Sequence, residues 1–272
     1  MRKQGKVYEE ISAAIDAAGV AGMDDMEAVA DVQPRAPSWA HGIENIGVSA
    51  SCNGDALGSG CALVILQGSA FPHGPHHIPL AGYGGEVVIE RNDGIASYLL
   101  EDMGIVVNPS GEYIIQVETV GEDGGEVGAC IELIFQDQSV RQPKQWIARE
   151  GQLAAANADA LLATMAQVQQ SIDCGASKLI DGVIMCMGSD MAALGCASGV
   201  IKLSQGCVDE QHLNAGSWGG ELIVGDGDVT PPTQRVNAGI LLKGGENVYC
   251  EGRMVNEDGG TISLLVAVGV AR

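Results

Sequence analysis

The clearest hydrophobic pattern in the chain is an alternation with a period of two near its C-terminal end. Its apolar positions are Ile262, Leu264, Val266, Val268 and Val270. A similar alternation runs through residues 127–135. A period of two is typical of a strand that buries one face. The pattern therefore predicts a strand in each place, with Val266 and Ile131 on the buried face.

Short segments of the chain also return at one constant offset. Tyr83-Gly84-Gly85-Glu86 is matched 135 residues later by Trp218-Gly219-Gly220-Glu221. Glu122-Asp123-Gly124-Gly125 is matched, again after 135 residues, by Glu257-Asp258-Gly259-Gly260. Separate matches at one spacing indicate an internal repeat. The sequence therefore predicts a tandem duplication.

Each repeat has the strand and turn signals of a β-sandwich. About 90 residues with a turn signal every 8–12 residues favour a sandwich or barrel over a parallel sheet. We expect an all-β protein made of two tandem, duplicated, jelly-roll-like β-sandwiches. The predicted domains are an N-terminal helical arm at 1–45, sandwich 1 at 46–136, a helical linker at 137–180 and sandwich 2 at 181–272. The two Glu-Asp-Gly-Gly segments are predicted to close hairpins.

Two amphipathic stretches outside the repeats predict helices. Residues 7–19 place Ile11, Ala14, Ile15 and Ala18 on one helical face. Between the repeats, an apolar stripe with helical spacing consists of Leu161, Met165, Val168 and Ile172. The first stretch predicts a short helix in the arm, and the second predicts a linker helix lying on a sandwich.

Charge and composition narrow the classes of partner. The chain has 14 Lys and Arg against 35 Asp and Glu, a formal charge of −21. Such a surface repels phosphate, which argues against direct nucleic-acid binding and adhesion to an anionic membrane. The eight cysteines include no Cys-x-x-Cys pair, and no export signal is visible. We therefore expect small, buried, reduced thiols.

The histidines are the main candidates for metal chemistry. His73, His76 and His77 form a cluster, and only His77 has a matching histidine, His212, in the second repeat. A metal site of the cupin type is one interpretation, but prolines and a glycine make the segment a loop. We expect a polar loop with no metal and no cofactor. Because no nucleophile, zinc-protease or nucleotide motif is present, we also expect the chain not to be an enzyme.

The tandem units carrying the Tyr83–Glu86 and Trp218–Glu221 segments and the two Glu-Asp-Gly-Gly segments resemble virion proteins of bacteriophages and related viruses. These include head-decoration proteins and double jelly-roll capsid proteins. The resemblance implies a symmetric homo-oligomer, with a trimer favoured, whose partners are other capsid subunits. It also implies a place in the virion after synthesis in the host cytoplasm. The charge favours an outer, decorating position over one that lines the genome.

Three alternatives remain open beside the decoration protein. They are a double jelly-roll major capsid protein, a bicupin-like metalloenzyme and a tandem carbohydrate-binding sandwich. For the capsid interpretation the N-terminal arm supplies the interface. Its candidate residues are Arg2, Lys3, Lys6, Ile11 and Ile15, with the basic tip orienting the arm and the apolar face supplying affinity.

Overall fold

The computed structural model describes residues 4–14, 35–53, 58–85, 93–120, 126–154, 170–172, 179–189, 196–205, 208–219, 229–230, 232–241, 248–255 and 261–272. These residues form seventeen strands and no helix. The strands are β1 Gln4–Ala14, β2 Gly42–Asn53, β3 Gly58–Gln67, β4 His76–Gly85, β5 Asp93–Leu100, β6 Ile105–Val106, β7 Ile114–Val120, β8 Glu126–Gln136, β9 Lys144–Ala154, β10 Gln170–Ile172, β11 Leu179–Ser189, β12 Cys196–Gln205, β13 Val208–Gly219, β14 Val229–Thr230, β15 Thr233–Leu241, β16 Val248–Val255 and β17 Thr261–Ala271. The predicted all-β class is confirmed.

The strands form four antiparallel sheets. Sheet 1 has the order β1-β8-β2-β5, with β6 paired to β2, and sheet 2 has the order β14-β4-β3-β7. Sheet 3 has the order β15-β11-β17-β9, and sheet 4 has the order β10-β16-β12-β13. Short β14 comes from the second half of the chain but pairs with β4, so it adds a strand to a sheet of the first half.

The predicted N-terminal helix is wrong where the structure describes it. Residues 4–14 form β1, and every one of them has a partner in β8, from Gln4 opposite Gln136 to Ala14 opposite Glu126. A lone helix of about a dozen residues is marginal in water, whereas an edge strand gains a full row of backbone hydrogen bonds. The arm therefore belongs to sheet 1. The rest of the predicted helix, including Ile15 and Ala18, lies outside the described residues.

The predicted helical linker needs a similar correction. Residues 144–154 form β9, which pairs along its length with β17, and 170–172 form β10, in which Ile172 lies opposite Val248. Leu161, Met165 and Val168 lie outside the described residues. The domain boundaries remain a prediction, and strand β2 begins at Gly42, four residues before the predicted start of sandwich 1.

The strands on either side of each Glu-Asp-Gly-Gly segment are in different sheets. β7 pairs with β3 in sheet 2, whereas β8 pairs with β1 and β2 in sheet 1. β16 and β17 are likewise in sheets 4 and 3. Each segment therefore connects two sheets and does not close a hairpin as predicted. Alternating hydrophobicity identified the strands but carried no information about their partners.

The burial predicted for the two alternating strands is confirmed, since Ile131 is 1% and Val266 3% exposed. In β17, however, residues on both faces are buried. Leu265 and Ala267 join the same hydrophobic cluster as the core of the first half of the chain, and Val266 and Val268 are buried on the opposite face. Sheet 3 is thus an inner layer that contacts sheet 2 through one of its faces.

Candidate functional site at the junction of sheets 2 and 3

The two halves of the chain meet where strands β3 and β4 of sheet 2 pack against β11 and β17 of sheet 3. The contact is apolar. Ile184 and Cys186 from β11 belong to one buried cluster with Cys61 from β3. Burial, followed by the neighbouring Cys61, raises the pKa of the Cys186 thiol. Both cysteines are buried, as expected from the sequence.

Trp146 in β9 joins the two halves. Its side chain is 1% exposed, and its indole Nε1 donates a hydrogen bond of 2.8 Å to the carbonyl oxygen of Met103. The ring lies over two glycines of sheet 3, because a Cβ at Gly182 or Gly269 would come within 2.6 or 3.1 Å of it. Larger residues at these positions would displace the indole. Trp146 therefore fixes β9 against the loop before β6.

Beside Trp146, a buried lysine bridges carboxylates from both halves. Lys144 is 1% exposed, and its Nζ donates to the carbonyl oxygen of Asp102 at 2.9 Å and to Asp102 Oδ2 at 2.8 Å. The same Nζ lies 3.4 Å from Asp181 Oδ2. The Asp102 side chain is 47% exposed and the Asp181 side chain 11% exposed. A buried lysine is tolerated because these oxygens replace its lost hydration.

Gln234 makes a further link between the halves. Its amide Nε2 donates to the carbonyl oxygen of Glu101 at 2.6 Å, and its Oε1 accepts from the Glu101 N–H at 2.8 Å. The side chain thus offers Glu101 the donor and acceptor that a neighbouring strand would offer. With Lys144 and Trp146, it holds the segment 101–104 from the side of the second half.

The histidine cluster also lies at this junction. The Trp146 N–H approaches His76 Nδ1 at 3.4 Å, and the Ala148 N–H approaches His77 Nδ1 at 3.4 Å. His76 is fully buried, with its ring edge-on to Phe71 at a centroid distance of 5.6 Å. Burial, with smaller contributions from His73 and His77, lowers the pKa of His76 to about 3. His76 is therefore neutral at neutral pH.

No group of three or more potential metal ligands comes together within the part of the chain that the structure describes. His73, His76 and His77 are all within that part, whereas the side chain of His212, in β13, is not described. The contacts described for the cluster are the packing of His76 against Phe71 and the backbone contacts of His76 and His77 with β9. A metal role for these histidines remains a prediction from the sequence.

The burial of His76 predicts a pH-dependent stability. Between pH 6.5 and about 3 the unfolded chain binds a proton at this residue and the folded chain does not, so stability falls as the pH falls through this window. Asn at position 76 can still accept from the Trp146 N–H but does not titrate. In urea titrations at pH 7.5, 6 and 5, the stability advantage of wild type over His76→Asn should shrink by up to about 1.4 kcal/mol per pH unit.

His41 supplies the control for this measurement. It is an exposed histidine, whereas His76 is buried. His41→Asn therefore repeats the substitution without removing a buried imidazole. Equal pH dependence in wild type and His76→Asn would contradict the assignment of a buried, neutral His76.

A polar cleft lies next to the Lys144 cluster. Its volume is 580 Å³, and it is bounded by the end of sheet 1 and by the connection between β8 and β9. The lining residues are Glu44, Asp102, Gly104, Gln136, Gln138, Ser139, Val140, Arg141 and Gln142. Six of the lining residues lie between Gln136 and Gln142, whereas Glu44, Asp102 and Gly104 come from other parts of the chain. The set carries no motif, so the sequence alone did not indicate the cleft.

Of the five interface residues predicted from the sequence, Lys6 and Ile11 lie in β1. Lys6 lies opposite Ile134 and Ile11 opposite Ala129 in the pairing of β1 with β8. Arg2, Lys3 and Ile15 lie outside the described residues. The described part of the chain has no helix long and apolar enough to cross a membrane.

Comparisons with known proteins give structural neighbours only, since no family model and no curated protein matches the chain. PNGase F, a glycosylasparaginase from Flavobacterium meningosepticum, aligns over 98% of this chain and 96% of its own, with 10% identity and a TM-score of 0.43. The major capsid protein P2 from bacteriophage PM2 aligns over 97% and 98%, with 8% identity and a TM-score of 0.36. The CBM22-1–CBM22-2 tandem domain of Paenibacillus barcinonensis Xyn10C aligns over 96% and 97%, with 10% identity and a TM-score of 0.22.

The first of these structures corrects one expectation. The sequence was expected to exclude enzymatic activity because no known motif was found, but an enzyme is among the solved structures that this chain resembles along nearly its whole length. The absence of a motif therefore does not exclude an enzyme. At these identities and TM-scores the likenesses assign no activity.

Proposed function

We propose that the chain is a virion capsid protein built from two jelly rolls, residues 4–136 and 144–271. The observation that carries the proposal is the strand order. When β9 to β13 are numbered one to five and β15 to β17 six to eight, sheet 3 has the order 6-3-8-1 and sheet 4 the order 2-7-4-5. An antiparallel double sheet of eight strands in this order is a jelly roll, a fold of viral capsid domains, lectins and cupins.

The first half of the chain supports the same reading. When β1 is numbered one, β2 to β5 three to six, and β7 and β8 seven and eight, sheet 1 has the order 1-8-3-6, and β4, β3 and β7 of sheet 2 have the order 5-4-7. The described residues of this half supply no strand for position two. Backbone conformation repeats as well: Asp102 and Gly104 have positive φ, and so do Asn237 and Gly239, 135 residues later. Non-glycine residues rarely adopt such angles. The recurrence favours a duplication, and it identifies the conformation of Asp102 as a feature of the fold.

The junction favours a capsid subunit over the other jelly-roll classes. The two halves share one buried cluster and the contacts of Trp146, Lys144 and Gln234. A chain whose two similar units are held together in this way can present six similar units as a trimer. Six similar units match the symmetry of a place in a closed shell where a capsomer contacts six neighbouring capsomers.

Charge and exposed apolar residues indicate how copies would meet. The formal charge of −21 favours an outward-facing surface and makes copies repel one another at low salt. On β15, an edge strand of sheet 3, Val236 is 43% and Leu241 80% exposed. We propose this edge as one subunit contact. The basic N-terminal residues Arg2, Lys3 and Lys6 remain a second proposed contact, with an acidic neighbour.

Light scattering and electron microscopy of the purified protein test the proposal. We expect a trimer that becomes more populated between 0.1 and 1 M NaCl, because salt screens the repulsion between acidic copies. Closed shells would support a major capsid protein, and trimers that co-sediment only with preformed particles would support a decoration protein. A monomer at every salt concentration and at 100 µM protein would contradict both.

A substitution at the β15 edge tests this proposed subunit contact in the same experiment. Leu241→Asp adds a charge to the proposed contact and should weaken oligomerisation about tenfold or more, an effect of about 1.4 kcal/mol. Ser38→Asp adds the same charge at an exposed position far from β15 in sequence and is the control. Oligomerisation that is equally weak in both variants would indicate general repulsion and would remove β15 from the interface.

A further inference from the structure

The cleft beside Lys144 has the composition of a site for a hydrophilic ligand. Its 580 Å³ is enough to hold a small molecule or part of an oligomer. Of the nine lining residues, only Val140 has an apolar side chain and Gly104 has none. The other seven carry carboxylate, amide, hydroxyl or guanidinium groups. An apolar cofactor would leave these groups without hydrogen-bond partners, so the ligand must be polar.

The charges around the cleft nearly cancel. Glu44 and Arg141 carry opposite charges, Asp102 is paired with Lys144 at 2.8 Å, and Asp181 lies 3.4 Å from the same Lys144 Nζ. The cleft therefore has a small excess of negative charge. A phosphate or another polyanion would meet two carboxylates against one lining arginine. A neutral ligand fits the charges better than an anion does.

The hydrogen-bonding groups further narrow the ligand class. Gln136, Gln138 and Gln142 each offer a donor and an acceptor on one planar amide, and Glu44 and Arg141 add an acceptor and a donor. Adjacent hydroxyl groups on a sugar ring both donate and accept. We propose that this cleft binds a neutral oligosaccharide, which would give a capsid protein a means of attaching to a glycan.

The wall and floor of the cleft are held in place before any ligand binds. A Cβ at Gly104 would come within 2.7 Å of the carbonyl oxygen of Gln142, and a Cβ at Gly42 within 2.5 Å of a methyl group of Val140. The connection between β8 and β9 therefore lies directly on two glycines. On the floor, the Met103 N–H donates to the carbonyl oxygen of Glu44 at 2.7 Å. A fixed site loses less entropy on binding.

Binding to an array of several hundred glycans, followed by calorimetry with the strongest neutral binder, tests this proposal on the full chain. We expect saturable binding of at least one neutral class, and at least a tenfold loss of affinity in Arg141→Ala and in Gln138→Ala. Arg35→Ala, at an exposed arginine that pairs with Glu112 and does not line the cleft, is the matched control and should bind like wild type. Melting temperatures near that of wild type would show that the cleft variants are folded.

Three results would overturn the proposal. They are no neutral glycan above background on the array, retention of anionic glycans only, and equal affinity in Arg141→Ala and Arg35→Ala. The light-scattering experiment is separate from this one, because the cleft variants leave β15 intact. A protein that assembles without binding glycans, or binds glycans without assembling, therefore tells the two proposals apart.

Discussion

Removal of residues 1–14 should lower the melting temperature by roughly 10 °C or more and make the protein prone to aggregate. The deletion takes away β1, which pairs with β8 along all of its 11 residues. Loss of a whole strand costs several kcal/mol, and in a chain of this size about 1 kcal/mol corresponds to roughly 2–4 °C. Strand β8 would become an open edge, which favours association with other chains. Calorimetry and light scattering measure both effects.

A proline scan of the same segment distinguishes a strand from a helix. Within the described residues β1 has one neighbour, so alternate N–H groups point toward β8 and away from it. Single prolines at Tyr8, Glu9, Glu10 and Ile11 should therefore alternate between costly and tolerated. A helical arm would instead be broken by proline at any interior position. Uniform effects along the scan, or a deletion variant that melts like wild type, would contradict the assignment of β1 to sheet 1.

The N-terminal segment shows why a hydrophobic pattern alone was not enough. Ile11 and Ile15 have helical spacing, but Val7 and Ile11 also fit a strand, and a short run cannot separate the two periods. The choice is made by β8, more than 100 residues away, which offers a complete row of hydrogen-bond partners. The strand at 261–271, in contrast, was predictable because its alternation is long and regular.

The sequence did not predict the junction of sheets 2 and 3, because a charged residue, Lys144, occupies a buried position in β9. In β9, Lys144, Trp146 and Ala148 are buried, whereas Gln145 and Ile147 are partly exposed. This is a period of two, but with lysine on the buried face it does not read as an apolar stripe. The cleft was beyond prediction for another reason. Glu44, Asp102 and Arg141 come together only through the packing of a connection against sheet 1, and no local pattern encodes that contact.

Substitution of Lys144 should have the largest single-residue effect on the free energy of unfolding at the junction. Lys144→Met should lower the free energy of unfolding by about 3–5 kcal/mol, because Asp181, 11% exposed, would keep its charge without a cation. The more exposed Asp102 would be hydrated again and contribute little. Urea unfolding followed by tryptophan fluorescence measures the change and also reports on Trp146 beside the substituted residue.

Removing the uncompensated charge of Asp181 should restore most of the lost free energy of unfolding. Lys144→Met combined with Asp181→Asn has no buried charge at the site, so we expect it to recover at least about 2 kcal/mol of the loss. Asp181→Asn alone should cost only about 1 kcal/mol, because Lys144 keeps its hydrogen bonds to Asp102. The double variant would then be more stable than Lys144→Met, although it carries one more substitution. If the double variant were no more stable than Lys144→Met, the loss would come from the packing of the lysine stem, and the charge of Asp181 would not account for it.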